Sequence, residues 1–232
     1  MLQLKSLNEI AGADAGWLRA RHHFAIGPYG NPAHKPVGNL IVLNDDEIAP
    51  HTGFELHHHA NVEIVSYIHD GTLTHRDDQG NVGTVRAGDV EVMSAGTGIS
   101  HSERNEHDSP VRMLQIWLTP NVSGGAPTWG HRPFPKADRA GSIVPLASGR
   151  NAKAALPIRA DAEVSGAMLL AGTDTTYIFN SGDAGYLVPA TGAVEVNAVL
   201  VQAREGLVIK KETVIFIRAI QDSELVLVVT AC

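Results

Sequence analysis

Three histidines stand in a row, His57, His58 and His59, inside the stretch GFELHHHANVEI that runs from Gly53 to Ile64. The run is internal, so it is not a purification tag. Side chains alternate across an extended strand, which puts His57, His59 and Glu63 on one face and turns His58 to the other. A second stretch, GISHSERN, repeats the pattern: His101 and Glu103 share a face and Ser102 opposes them. If a barrel brings the two stretches together, three imidazoles and one carboxylate meet. Neutral imidazole and carboxylate suit a divalent transition metal and leave a position open for water or substrate. Of the two carboxylates, Glu103 is favoured as the ligand, because it lies two residues from His101, the step that separates His57 from His59. Glu103, or Glu63 behind it, is also the candidate general base, provided it reaches the proton it takes. No thiolate lies nearby, which argues against a structural zinc site of the finger type. The remaining histidines, His22, His23, His34, His51, His69, His75, His107 and His131, are read singly as surface or satisfied residues.

The elements that must position these groups are short. Runs such as NLIVLNDDEIA, VEIVSYIHDG, TVRAGDVEVM and RMLQIWLTP are of strand length, and 23 glycines and 12 prolines punctuate the chain. HRDDQGNV reads as a hairpin. Only LNEIAGADAGWL has a helical look, weakened by its glycines. Residues 120–142, TPNVSGGAPTWGHRPFPKADRAG, read as a linker between two all-β halves, taken as residues 1–128 and 129–232. A faint repeat joins the halves. Tyr67, Gly71 and RAGDVEVM in the first correspond to Tyr186, Gly192 and REGLVIKK in the second, which suggests a duplicated barrel. Eleven of the 12 histidines lie at or before His107, and the last is His131. The first half therefore carries the chemistry, and the second packs against it without an equivalent site. Glycines at Gly88, Gly96 and Gly98 bend the chain ahead of His101 and aim that strand into the barrel mouth. Val65 and Met93 read as plain core.

Bulk properties narrow the function. A net charge of −7 on 232 residues argues against a broad electrostatic grip on nucleic acid. The one cysteine, Cys232, cannot form an internal disulfide, which fits a reducing compartment. No signal-peptide core and no membrane-length apolar run is present, so a soluble, cytoplasmic protein is expected.

The spacing HxHxxxE in HHHANVE, followed by AGDVEVMSAGTGISHSERN, resembles the two motifs of the cupin barrel. In finer detail GWL (Gly16–Leu18), LNDD (Leu43–Asp46), HRDDQGN (His75–Asn81), MSAGTGISHSE (Met93–Glu103) and LQIWL (Leu114–Leu118) are similar to the pirin family of bicupins. The likeness covers residues 10 to 120, and beyond about 130 it rests on strand rhythm alone. Ser94 stands where general cupins place a proline, and four residues separate Gly96 from His101, which is the pirin variant. His58 has no counterpart in the family pattern. RHHFAIGPYGNP (Arg21–Pro32) departs from the more aromatic family version, and is expected near the barrel mouth.

The resemblance implies two cupin barrels. It implies metal ligands at His57, His59, His101 and Glu103, with Glu63 in support. It implies one divalent ion, iron(II) foremost, with copper, nickel, manganese, cobalt or zinc as alternatives. Bacterial pirins are associated with quercetin 2,3-dioxygenase activity, in which oxygen opens the central ring of a flavonol and carbon monoxide leaves. The partners implied are then a flavonol-like aromatic substrate and O2, on a monomer. The alternative is a metal- or redox-sensing protein that regulates a protein partner, as some pirins do in transcription or metabolism. A non-redox isomerase or storage cupin ranks below both.

Overall fold

The computed structural model describes residues 1–150 and 153–231; Cys232 lies outside them. The chain is almost entirely strand. In order these are β1 (Leu2–Lys5), β2 (Ala11–Asp14), β3 (Leu18–His22), β4 (Leu40–Ile48), β5 (Gly53–His59) and β6 (Glu63–Asp70). They continue with β7 (Thr72–Asp77), β8 (Val82–Arg86), β9 (Asp89–Ser94), β10 (Ile99–Arg104), β11 (Val111–Leu118) and β12 (Thr128–Pro133). A 3-10 turn at Lys136–Arg139 precedes β13 (Val144–Ser148), β14 (Leu156–Pro157), β15 (Ala162–Leu169), β16 (Asp174–Ile178) and β17 (Asp183–Thr191). The last are β18 (Ala193–Val196), β19 (Val199–Gln202), β20 (Gly206–Lys210), β21 (Val214–Ala219) and β22 (Ser223–Ala231).

These strands form two barrels of the same plan. The first pairs a seven-stranded sheet, β12-β9-β6-β11-β4-β3-β2, with a four-stranded sheet, β5-β10-β7-β8. The second pairs β1-β20-β17-β22-β15-β13-β14 with β16-β21-β18-β19. The five inner strands of each large sheet and all four of each small sheet correspond in order, so the expected repeat is real; only the edge strands differ, β2 being antiparallel to β3 where β14 is parallel to β13. Its two glycine turns are equivalent. Gly71 and Gly192 have φ of 79° and 77°, and a Cβ there would meet Pro110 O at 2.5 Å and Asp222 O at 2.3 Å respectively. Backbone cannot move aside, so only glycine fits.

Three expectations need correction. LNEIAGADAGWL forms no helix; it supplies turns and β2, because its polar and glycine positions carry no apolar stripe to bury. The presumed linker is built into the fold: β12 adds to β9 in the first large sheet, and Arg139 of the 3-10 turn is buried. The boundary at residue 128 therefore falls on the first residue of β12. At the other end, β1 crosses over to pair with β20 of the second barrel.

The large sheets face each other. Strands β6 and β22, both inside their sheets, are buried along nearly their whole length, since one face lines a barrel and the other packs against the neighbouring barrel. Such strands read as continuous apolar runs rather than alternations. One cluster spans both halves, with Leu43, Val65, Tyr67 and Leu114 against Leu146, Tyr186, Val226 and Val228. Each such side chain contributes about 1.5–3 kcal/mol on full burial. A polar seam runs through it: Arg139 donates to the Tyr67 hydroxyl at 2.7 Å, Tyr67 donates to Glu224, and Lys136 pairs with Glu224 at 2.6 Å. RHHFAIGPYGNP belongs to this interface as well, contrary to its expected place at the barrel mouth. Phe24 is buried with its ring 4.8 Å from Tyr186, and His23 Nδ1 lies 2.9 Å from the Tyr186 hydroxyl.

Inside the first barrel, strand parity sorts the residues into layers. Ile64, Ser66 and Ile68 of β6 face inward; Val65 and Tyr67 face the second barrel. One end is plugged by Val62, Ile64, Met93, Ala95 and Ile99. The other is plugged by Ile48, Ile68, Leu73, Val85, Val111 and Met113. Between the two apolar plugs lies a polar band to which almost every strand contributes.

Candidate metal centre

The band begins with the register of β5 on β10. His101 lies directly opposite His57, and Ile99 opposite His59. Alternation then turns three rings inward, and centroids are separated by 4.8 Å (His57–His59), 4.5 Å (His57–His101) and 5.1 Å (His59–His101). One ring nitrogen from each lies within 4.8 Å of the others. No other such group of histidine, cysteine or acidic residues occurs among the described residues. His58 points outward and is exposed, as expected, with Nδ1 3.3 Å from Ser100 Oγ.

The chemistry of the three rings fits a cation. His57 Nδ1 lies 2.7 Å from the Glu55 carbonyl, which can only accept, so Nδ1 carries the proton and Nε2 presents its lone pair. His101 is 1% exposed, and neither of its ring nitrogens has a hydrogen-bond partner among the described residues. An imidazole buried this way costs free energy unless something else engages it. Burial, reinforced by charge on His57, lowers His59 to about 4. Burial likewise lowers His101 to about 4, against the opposing pull of Glu103. Both rings are neutral near pH 7, as metal ligation requires.

Glu103 stands next to the trio but outside the 4.8 Å group. Its oxygens accept from Ser66 Oγ at 3.1 Å and Gln115 Nε2 at 2.7 Å. Burial raises its pKa, but His101, a hydrogen bond from Glu91, and His75 together carry it below the usual value. Glu91 goes the other way: burial and the Glu103 charge push it well up. Glu91 therefore holds the proton and Glu103 the charge. Asp46 completes the acidic side of the band, its two oxygens without partners among the described residues and its pKa raised by burial.

Glu63 is a correction. β5 stops at His59, and Asn61, with φ of 54°, turns the chain into a different sheet. The count of alternation from His59 to Glu63 does not carry across that turn. On β6, Glu63 shares parity with Val65 and Tyr67 and faces the second barrel, where it accepts from Ser94 Oγ at 2.6 Å and from the Arg159 backbone N–H at 2.9 Å. It ties the barrels together and does not join the histidines.

Two kinds of residue escaped the sequence reading. His75 is fully buried, its ring 5.3 Å from His101 and stacked on Trp129 at 4.7 Å and 17°. The signal was available in THRD, where His75 and Asp77 repeat the step of two, and the two side chains meet at 3.3 Å. The tryptophans were the other omission. Trp117 meets His59 edge-to-face at 4.9 Å, and Trp129 Nε1 donates to Glu91 at 3.1 Å. Beside His57 the surface opens into a groove of about 670 Å³, walled by Trp17, Phe54, Leu56 and Arg104.

The second barrel repeats the strands without the chemistry. Registered on Gly71 and Gly192, His75 corresponds to Val196, Glu103 to Ile217, His101 to Ile215 and His57 to Tyr177. The positions that hold polar groups in one barrel fill the core of the other.

Comparison with known proteins agrees. Residues 4–118 match the family described as Pirin, and residues 145–228 match the Quercetinase C-terminal cupin domain. A pirin-like protein of Caulobacter vibrioides is 53% identical over 98% of this chain and 99% of its own length. A quercetin 2,3-dioxygenase of Escherichia coli K12 is 33% identical over 98% of this chain and 97% of its own. The structure of the bacterial pirin YhhW from Escherichia coli in complex with nickel(II) superposes with a TM-score of 0.93 at 32% identity, covering 100% of this chain and 99% of that one. With its two cupin barrels and its single cluster of inward-facing imidazoles, the chain belongs to the pirin family.

Proposed function

We propose that the first barrel binds one divalent metal ion through His57, His59 and His101, with Glu103 as the fourth ligand, and that the protein is a dioxygenase opening the central ring of flavonols of the quercetin type. The observation that carries this reading is His101: buried, neutral, with two partnerless ring nitrogens, at the meeting point of two other imidazoles. Iron(II) is the first assignment for the ion; three nitrogens and one carboxylate also accommodate nickel, manganese, cobalt, copper or zinc.

A bound divalent ion supplies Lewis acidity toward the flavonol hydroxyl and a route for electrons to O2. The chain does the rest. The Nδ1 bond to Glu55 O holds the His57 ring in the tautomer that faces the centre. Glu103, the ionised partner of the carboxyl pair, is the base that takes the hydroxyl proton, with Glu91 beside it. The apolar plugs above and below keep bulk water from the band. The groove beside His57, at about 670 Å³, is of a size for a three-ring aromatic, and Trp17 and Phe54 give it an aromatic wall. Both oxygen atoms of O2 end in the product as two ring C–C bonds break and carbon monoxide leaves.

The test is elemental analysis of anaerobically purified protein, followed by oxygen uptake with quercetin. His57→Ala and His101→Ala should lose the metal and ring opening together. Metal-free protein that opened quercetin at the full rate would sink the mechanism.

A further inference from the structure

Gln115 and Trp117 form a hydrogen-bond relay whose donors and acceptors admit one arrangement. The Trp117 indole N–H can only donate, and it takes Gln115 Oε1 at 3.1 Å. That choice leaves the Gln115 NH2, a donor, for a Glu103 carboxyl oxygen, which it reaches at 2.7 Å. The amide is thereby fixed against flipping, inside the barrel, where Gln115 is 6% exposed. The same indole packs edge-to-face on His59 at 4.9 Å. One tryptophan on β11 therefore bears on two candidate ligands that come from two other strands, His59 of β5 directly and Glu103 of β10 through an amide.

We infer that Gln115 and Trp117 are positioning residues for the metal centre: Trp117 sets the orientation of the Gln115 amide, and that amide anchors the Glu103 carboxylate beside the three imidazoles. This rests on the metal-binding reading above. Neighbours that orient ligands typically govern about 10–100-fold of metal affinity.

The experiment compares nickel(II) affinity, measured calorimetrically at neutral pH, for wild type, Trp117→Phe, Gln115→Met and the double variant. The visible absorption of the cobalt(II)-loaded proteins and the melting temperatures of the metal-free ones are recorded alongside. Trp117→Phe keeps an aromatic ring beside His59 and loses only the N–H. Gln115→Met keeps the length of the side chain and loses the amide. Each single variant should bind nickel about 10–100-fold more weakly and shift the cobalt bands, with the metal-free melting temperature near that of wild type. The double variant should bind no more weakly than Gln115→Met, because the indole acts through the amide. Unchanged affinity and spectra in both single variants would overturn the relay, and so would losses that simply add. If Gln115→Met fails to fold, Trp117→Phe decides alone by the same two readouts. Wild type that takes up no nickel would overturn the metal-binding reading itself, whereas wild type that binds it and variants that match would overturn only the relay.

Discussion

At the scale of single residues, His101 separates from the other histidines: both its ring nitrogens are buried without a partner among the described residues, where His23, His34 and His75 each leave one such nitrogen. His22, His23 and His51 each have a side-chain partner, to Asn44, Tyr186 and Asp108 respectively; His101 has none. The contrast yields two expectations. Glu63, read from the sequence as support for the metal, serves the barrel interface instead. Glu63→Gln should therefore retain full metal content while the protein loses about 1–3 kcal/mol, since Ser94 Oγ or Arg159 N–H loses a charged acceptor. Metal loss without destabilisation would reverse that assignment. His23 makes the second. Burial, with positive charge on His34, Arg204 and Arg21, lowers it to about 3 in the fold, against 6.5 for an ordinary histidine. A depressed histidine pKa means that below pH 6.5 the unfolded chain takes up a proton that the folded chain refuses. The stabilisation is complete above pH 6.5 and falls as the pH drops toward 3, at up to about 1.4 kcal/mol per pH unit. In urea unfolding at pH 4 to 6, His23→Gln should flatten the pH slope by about that amount. An unchanged slope would show that the ring is already charged in the fold.

At the scale of elements, the histidine trio is legible because β5 and β10 obey period-two alternation, and their inward residues announce themselves as histidines. Glu63 and His75 were misjudged for a related reason. Alternation holds only within a strand, and nothing in HHHANVEI marks the chain leaving one sheet for another between His59 and Glu63. His75 lies on a strand whose inward face shows only once β7 is registered on β10, which sets His75 against Glu103. The linker misled because Pro and Gly punctuate edge strands as readily as they loosen connections, and β12 is an edge strand. The glycine bend before His101 takes backbone angles that favour glycine. Gly98 has φ of 150°, and a Cβ there would come within 2.7 Å of His58 Cε1. Gly98→Ala should destabilise the protein by about 1–3 kcal/mol, most of it backbone strain. The exposed His58 ring can swing away, so adding His58→Ala should restore only a minor part in thermal melts. Full recovery in the double variant would place the cost in the contact rather than the backbone.

At the scale of the molecule, the duplication in the sequence conceals a division of labour. Both barrels keep the strand order and the glycine turns, but one fills its middle layer with ionisable groups and the other with Val196, Ile215 and Ile217. A polar middle layer forfeits core burial, so the first barrel leans on its neighbour. The facing sheets share one apolar cluster, β1 is lent to the second barrel, and across the interface Arg139 donates to the Tyr67 hydroxyl, Tyr67 donates to Glu224 and Lys136 donates to the His69 carbonyl. Neither half can unfold without exposing that cluster and stranding those groups. A single cooperative transition follows, and the chain carries its own reporters for it. Trp17, Trp117 and Trp129 all lie in the first barrel, whereas backbone circular dichroism reports both. Denaturant curves followed by tryptophan fluorescence and by circular dichroism should coincide at one midpoint. A fluorescence transition at lower denaturant would mean that the first barrel opens by itself, and that the shared core does not couple the two.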